Sequence, residues 1–283
     1  MGAAGVPADQ IPGLTPGRAA TVGRVEVDVP VADGTLWAED TGGDGTPIVL
    51  VHADWTDSGI WSPLIPLLRD RYRVIRYDLR GFGRSARPTR SFTRLADLQA
   101  VLGHFGVEDA ILVGHSGGGG TVLGLAVHQP ERIRALALVA PGIGDYPWPA
   151  DDAFSRECGP LIAAEDREGL VRLGLRTWAP AGADEAITAM ARGAVSSWFE
   201  IGELEEPDPP AFGRLREIRV PAVMLLGDLE YPMVTEASRA IAGRLDGCAT
   251  VQVPGADHLL PLRAPHLLAD TITHLAEVPE DQR

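Results

Sequence analysis

Gly114-His115-Ser116-Gly117-Gly118 carries the most specific chemical signal in the sequence. It follows the apolar run Ala110–Val113 and precedes a helical pattern, which is the setting of a G-x-S-x-G nucleophile elbow. The turn is sharp enough to strain the serine backbone, and glycine is needed at its flanks because a Cβ there would strike the adjoining strand or helix. Such a turn lifts the serine Oγ to a helix N-terminus, where the positive end of the dipole favours developing negative charge. The N–H of Gly117 then becomes a candidate oxyanion donor. A chain with 33 glycines can produce the five-residue pattern by chance, so the weight lies on its strand–turn–helix context.

A serine hydroxyl needs a base to take its proton, and the base needs an acid to orient it. With this kind of elbow the chain order is serine, acid, histidine. Past the apolar run Ala222–Leu226 stands Gly227-Asp228-Leu229-Glu230, and past Val251–Val253 stands Pro254-Gly-Ala-Asp257-His258. His258 is the candidate base, in a loop beyond a strand. His52 and His115 belong to loop motifs, His104 and His128 to helix surfaces, and His266 and His274 to the last helix. Both Asp228 and Glu230 qualify as the acid by position. No cluster of His and carboxylates has metal-ligand spacing, so no metal is expected, and acyl chemistry on such a triad requires no cofactor.

These residues need a scaffold that delivers them to one edge. Gly23–Val31 and Gly34–Glu39 flank the turn signal Asp33-Gly34 and read as an antiparallel hairpin. Ile48–His52, Tyr72–Tyr77, Ala110–Gly114, Ala135–Ala140 and Ala222–Leu226 are short apolar runs, the texture of parallel strands covered on both faces. Helical periodicity lies between them over Trp61–Leu68, Thr93–Phe105 and Thr121–His128, and again near the end over Pro265–Ala276. Alternating strand and helix implies a doubly wound, mostly parallel sheet. From about Tyr146 to Arg214 the rhythm breaks. That stretch holds helical patterns over Phe154–Ala164, Arg167–Trp178 and Asp184–Phe199 but no strand, and an insertion of this length is read as a helical lid.

The 283 residues accommodate one large α/β domain with an insertion. Residues 1–21 read as a flexible tail without the build of a secretory signal, residues 22–145 and 215–283 as the core, and residues 146–214 as the cap. A net charge of −14 argues against nucleic acid and anionic membranes as partners. Two cysteines, Cys158 and Cys248, make no disulfide framework, and a cytoplasmic location is expected. The expected partner is a small-molecule ester or lactone, and a homodimer is left open.

From about residue 22 onward the chain resembles the α/β-hydrolase superfamily, nearest to small esterases and enol-lactonases with a helical cap. The resemblance rests on Val51-His52-Ala53 with Asp57 and Trp61, on Tyr77-Asp78-Leu-Arg80-Gly81-Phe-Gly83-Arg-Ser85, on the elbow, on Pro130-Glu131-Arg132-Ile133, and on the two loops that carry Glu230 and His258. It implies an eight-stranded, mostly parallel sheet (the α/β-hydrolase fold) with a helical cap insertion, and it favours Glu230 as the acid, with Asp228 as the fallback. It also implies a second oxyanion donor, the N–H of Asp54. Relatives carry glycine or an apolar residue near that point, so the Asp54 carboxylate is a departure. Two readings of it stand: a cap on the following turn, or a contact to substrate. Serine at the elbow argues against the dehalogenase and epoxide hydrolase members, which place aspartate there.

Aromatic residues crowd the insertion, and lid helices above an apolar pocket would use them. Trp55, His115, Ile143, Tyr146, Trp148, Trp178, Trp198 and Tyr231 are the expected substrate contacts. The expected activity is hydrolysis of a carboxylic ester or lactone of a mid-sized, largely apolar substrate through an acyl-enzyme. The rivals are C–C bond hydrolysis, acyl transfer or perhydrolysis on the same triad, and a ligand-binding or non-hydrolytic biosynthetic role.

Overall fold

The apolar runs fold into one sheet in the computed structural model of the protein, which describes residues 24–279. The expected tail over residues 1–21 and the strand start at Gly23 lie outside the described residues. The strands are β1 (Val25–Val31), β2 (Gly34–Asp40), β3 (Pro47–Val51), β4 (Arg73–Tyr77), β5 (Ala110–His115), β6 (Ile133–Val139), β7 (Ala222–Gly227) and β8 (Ala249–Val253). Their order across the eight-stranded sheet is β1-β2-β4-β3-β5-β6-β7-β8. The hairpin β1–β2 is antiparallel and joins β4 in the antiparallel sense, and every other pairing is parallel.

Helices cover both faces: α1 (Ile65–Leu68), α2 (Arg94–His104), α3 (Gly117–His128), α4 (Ala153–Ala163), α5 (Arg167–Trp178), α6 (Glu185–Ile201), α7 (Pro232–Ala242), α8 (Leu260–Arg263) and α9 (Pro265–Ala276). Successive strand residues point to opposite faces. Thus Ile48 and Leu50 of β3 pack with Leu268 and Ile272 of α9, while Val49 and Val51 pack with Leu98 of α2 and Val122 of α3. Each face buries its own apolar cluster, which is why β3, β5, β6 and β7 are apolar without alternation.

The winding reverses at β3, whose neighbours are β4 on one side and β5 on the other. The crevice beyond the C-terminal ends of β3 and β5 is therefore the topological switch point, where open α/β sheets bind ligands. The loop His52–Thr56 and the Ser116 turn both open into it. Helices α4, α5 and α6 are inserted between β6 and β7. Among the described residues no helix is long and apolar enough to cross a membrane.

Two local expectations need correction, and two helices had no counterpart in the sequence pattern. The pattern over Trp61–Leu68 is not one helix: a 3-10 turn, Ser58–Trp61, is followed by the single turn of α1. Pro63 and Pro66 supply no N–H for a continuous helical ladder, and Pro66 fits only at a helix start. Helix α3 begins at Gly117 rather than Thr121, because the elbow itself is its first turn. Two helices were not read from the sequence at all: α7, begun by Pro232, and the one-turn α8 just after His258.

Candidate active site

Ser116 follows β5 directly and caps α3 with φ 52° and ψ −122°, a positive-φ conformation that disfavours any side chain. The turn is pinned from both sides. Ser116 N–H donates to Val139 O (3.0 Å), and Ser116 O accepts from Gly119 N (2.8 Å) and Gly142 N (2.9 Å). The flanking glycines are a matter of space: a Cβ at Gly114 would lie 2.5 Å from Val122 Cγ2, and one at Gly118 would lie 2.5 Å from the carbonyl oxygens of Val51 and His52. The N–H groups of Gly117 and Gly118 open the helix, at positions that have no intrahelical acceptor.

The loops after β7 and β8 meet beside this turn. His258 Nδ1 lies 2.8 Å from Glu230 Oε2, with both side chains almost completely buried. The other carboxylate oxygen of Glu230 accepts from Tyr231 N (2.8 Å). A carboxylate at Nδ1 fixes the imidazole tautomer that carries hydrogen there and leaves Nε2 as the basic nitrogen. Asp228, the other candidate acid, is exposed and instead accepts from Gly255 N (2.7 Å), latching the two loops together. Asp257 is buried and holds the histidine loop through Arg263 (2.9 Å), Leu259 N (3.1 Å) and Ala181 N (3.0 Å).

His115, expected as a substrate contact, joins the two halves of the site and lines neither of the two cavities that flank it. It is fully buried, and its Nε2 donates to His258 O at 2.7 Å. Burial, followed by the neighbouring His258, holds its pKa well below the ordinary histidine range, so it is neutral. His52 is similarly buried and locked: Nδ1 donates to Ala53 O (2.9 Å), and Nε2 accepts from Leu79 N (2.9 Å).

On the opposite side, Asp54 does not cap the turn that follows it. Thr56 closes that turn alone, its N and Oγ1 each donating to Ala53 O at 3.1 Å. The Asp54 carboxylate pairs with Arg94, the first residue of α2. Arg94 also engages Glu205 through Nε (2.7 Å) and Nη2 (2.9 Å). Burial works to raise the Asp54 carboxyl, but the charge and hydrogen bond of Arg94 outweigh it, and the group is held below the ordinary carboxylate range. For Glu205 burial prevails, and its carboxyl is raised.

The expected aromatic contacts divide into two groups. Trp178 packs on the His258 ring (centroids 4.8 Å apart), on Phe154 (5.2 Å) and on Tyr231 (5.5 Å). Trp55 packs edge-on against Trp198 at 4.4 Å, and Trp198 Nε1 donates to Asp54 O (3.0 Å). These side chains, drawn largely from the inserted helices, roof the base and the Asp54 loop. Tyr146 and Trp148 form a separate group with Phe212, and Trp148 Nε1 donates to the backbone oxygen of the buried Ile143 (2.9 Å). Two cavities of about 350 and 270 Å³ flank the site: one between the Gly81–Ser85 loop and α6, the other between α4 and the Glu230–Pro232 turn.

Arg94, Glu205, Phe154 and Phe212 were not anticipated. Nothing local in the sequence marks Arg94, since its two partners come from distant loops. Among the described residues no group of His, Cys, Asp and Glu could hold a metal ion.

The sequence model of the alpha/beta hydrolase family matches residues 48–271. Over 119 residues the chain is 42% identical to a protein of Azorhizobium caulinodans assigned as the carbamate hydrolase RutD, a match that takes in 41% of this chain and 43% of that protein. The chain spans less than half the length of the curated relatives it matches. Among solved structures it is similar to Est816, described as an N-acyl homoserine lactone degrading enzyme (TM-score 0.72, 20% identity, 88% of this chain and 99% of that one). It is also similar to the enol-lactonase from Burkholderia xenovorans LB400 (TM-score 0.70, 23% identity, 86% of this chain and 96% of that one). At these identities the structural likeness bears on the fold.

Proposed function

The chain belongs to the alpha/beta hydrolase family, and from that premise we propose that it is a serine hydrolase that cleaves a carboxylic ester or lactone of a mid-sized, largely apolar compound. One observation carries the reading: Glu230 lies 2.8 Å from His258 Nδ1, both buried, in loops tied through His115 to the strained Ser116 turn. Ser116, Glu230 and His258 take the roles of nucleophile, acid and base.

In this scheme His258 Nε2 takes the proton of Ser116 Oγ as that oxygen attacks the substrate carbonyl carbon. The N–H groups of Gly117 and Asp54 receive the resulting oxyanion. Collapse breaks the bond to the leaving oxygen, which takes the proton from His258. A water molecule, deprotonated by the same histidine, then cleaves the acyl-enzyme and regenerates Ser116. Glu230 stabilises the imidazolium formed in each half-reaction.

The roof supports this choice of substrate class. Trp55, Trp178, Trp198 and Tyr231 offer aromatic surface to the acyl or alcohol portion, and such surface favours apolar groups over charged ones. The enol-lactonase and the lactone-degrading enzyme among the similar structures agree with a lactone as one candidate. Labelling with a fluorophosphonate, mapping the adduct, and assaying wild type and Ser116→Ala on a panel of esters and lactones test the reading together. The expected results are a single adduct on Ser116 and loss of hydrolysis in the variant; full hydrolysis by Ser116→Ala would sink the scheme. Product analysis separates transfer to water from transfer to another alcohol.

A further inference from the structure

Asp54 brings a negative charge to a place where the reaction would create another. A Cβ on Gly117 would lie 2.2 Å from Asp54 Oδ2 and 2.8 Å from Arg94 Nη1, so carboxylate and guanidinium both crowd the Cα of Gly117, the first residue of the elbow helix. Two like charges about 5 Å apart, at an effective dielectric of about 20, repel enough to slow a step that builds the second on the order of a hundredfold. Arg94 is in place to cancel that charge.

We propose that Arg94 is a positioning residue for the reaction, neutralising Asp54 so that this residue's backbone can serve an oxyanion. The proposal rests on the serine-hydrolase reading above. Arg94 acts through Asp54 and touches no reacting atom. The clamp has two further parts: Glu205 grips Nε and Nη2 of Arg94 from the far side, and Trp198 Nε1 holds Asp54 O. The loop bearing the oxyanion donor is thereby fastened to the inserted helix α6 and to the segment that follows it.

A purely structural role, stapling α2 to residues 204–208, is already filled by other bonds. Phe92 N donates to Leu204 O (3.0 Å), Glu206 N to Phe92 O (2.8 Å) and Leu95 N to Asp208 Oδ1 (2.9 Å). The Arg94 charge therefore has work beyond holding this seam.

The test compares kcat and KM on 4-nitrophenyl butyrate for wild type, Arg94→Gln, Arg94→Gln with Asp54→Asn, and Arg94→Lys, with thermal unfolding recorded for each. Arg94→Gln is expected to lose about a hundredfold in kcat with KM within about threefold, because the exposed charge opposes the transition state more than the ground state. Adding Asp54→Asn should restore at least about tenfold, since it removes the charge that Arg94 had cancelled. Unchanged kcat in Arg94→Gln, or no recovery in the double variant, overturns the proposal. Arg94→Lys keeps the charge and should stay within about tenfold of wild type. If Arg94→Gln does not fold, Arg94→Lys decides, and a loss of a hundredfold there overturns the proposal. Wild-type protein that neither turns over the ester nor forms a fluorophosphonate adduct on Ser116 overturns the serine-hydrolase reading and this inference with it.

Discussion

The two sides of the site use carboxylates in opposite ways. On the β7–β8 side, Glu230 is enclosed and has one acceptor oxygen for each of two donors, His258 Nδ1 and Tyr231 N. The pair is complete, and its members come from the loops after adjacent parallel strands. On the β3–α2 side, the Asp54 side chain is about a third exposed and shares one guanidinium with Glu205, so two acids compete for a single cation. Burial lifts the carboxyl of Glu205 while Arg94 lowers that of Asp54. A satisfied buried pair fixes one geometry, whereas a shared cation leaves a balance that either acid can tip. The proposed proton relay thus sits on the rigid side, and the proposed oxyanion site sits on the side whose charge is adjustable.

The sharpest way to break this contrast is Glu230→Gln. The amide retains the shape of the side chain but carries no charge to balance an imidazolium, and it can hold the ring in the wrong tautomer. Loss of an equivalent acid elsewhere lowers kcat by about 10⁴, and a drop of about 10³ to 10⁴ is expected here in ester turnover at neutral pH, with KM little changed. A kcat within tenfold of wild type would mean that the buried pair does not orient the base.

On the adjustable side a smaller effect is expected from Gly117→Ala. The new methyl group must displace Asp54 Oδ2 and Arg94 Nη1, which are side-chain ends rather than backbone but are locked in an ion pair. Overpacking of this kind costs about 1–3 kcal/mol, and a loss of about tenfold in kcat is expected with it. In an Asp54→Ala background the same substitution should cost less, because the nearer obstacle is gone and the remaining one is the end of the long Arg94 side chain, no longer paired with Asp54. Chemical denaturation and kinetics on the four proteins of this cycle give the coupling, and strict additivity would show that the pair does not crowd the elbow.

The same division governs how much was legible in the sequence. The sheet, the elbow and the chain order of serine, acid and histidine follow from local runs and short motifs, since Ser116 and the Asp228–Glu230 pair lie just past apolar strands and His258 stands in the loop after the short run Val251–Val253. The partners of Arg94 do not, because α2, the β3 loop and residue 205 meet only through the tertiary fold. The notch at Gly174, where a Cβ would lie 2.1 Å from the Trp55 ring, was likewise hidden: a glycine within a helical pattern does not announce the indole that fills its place. Choosing between Asp228 and Glu230 needed the resemblance to a family, because residues two apart past a strand are equivalent on position alone. What separates them is burial, which the fold decides: Glu230 is buried and accepts from Tyr231 N just before α7 starts at Pro232, whereas Asp228 is exposed.

That separation yields the smallest expected effect. Asp228→Ala removes an exposed carboxylate whose described bond is to Gly255 N at 2.7 Å. Losing one such side-chain-to-backbone bond costs about 1 kcal/mol, seen as a slightly lower unfolding midpoint. Turnover should stay within about threefold of wild type, since Glu230 and His258 keep both of their contacts and the charge removed is screened by water. Measured beside Glu230→Gln on the same ester, the two substitutions lie two residues apart in one loop and should differ by at least a hundredfold in kcat. If instead Asp228→Ala gave the larger loss, the imidazole would have to turn toward the exposed carboxylate in solution. The base side would then be the mobile half of the site, and the contrast with the Asp54 side would be reversed.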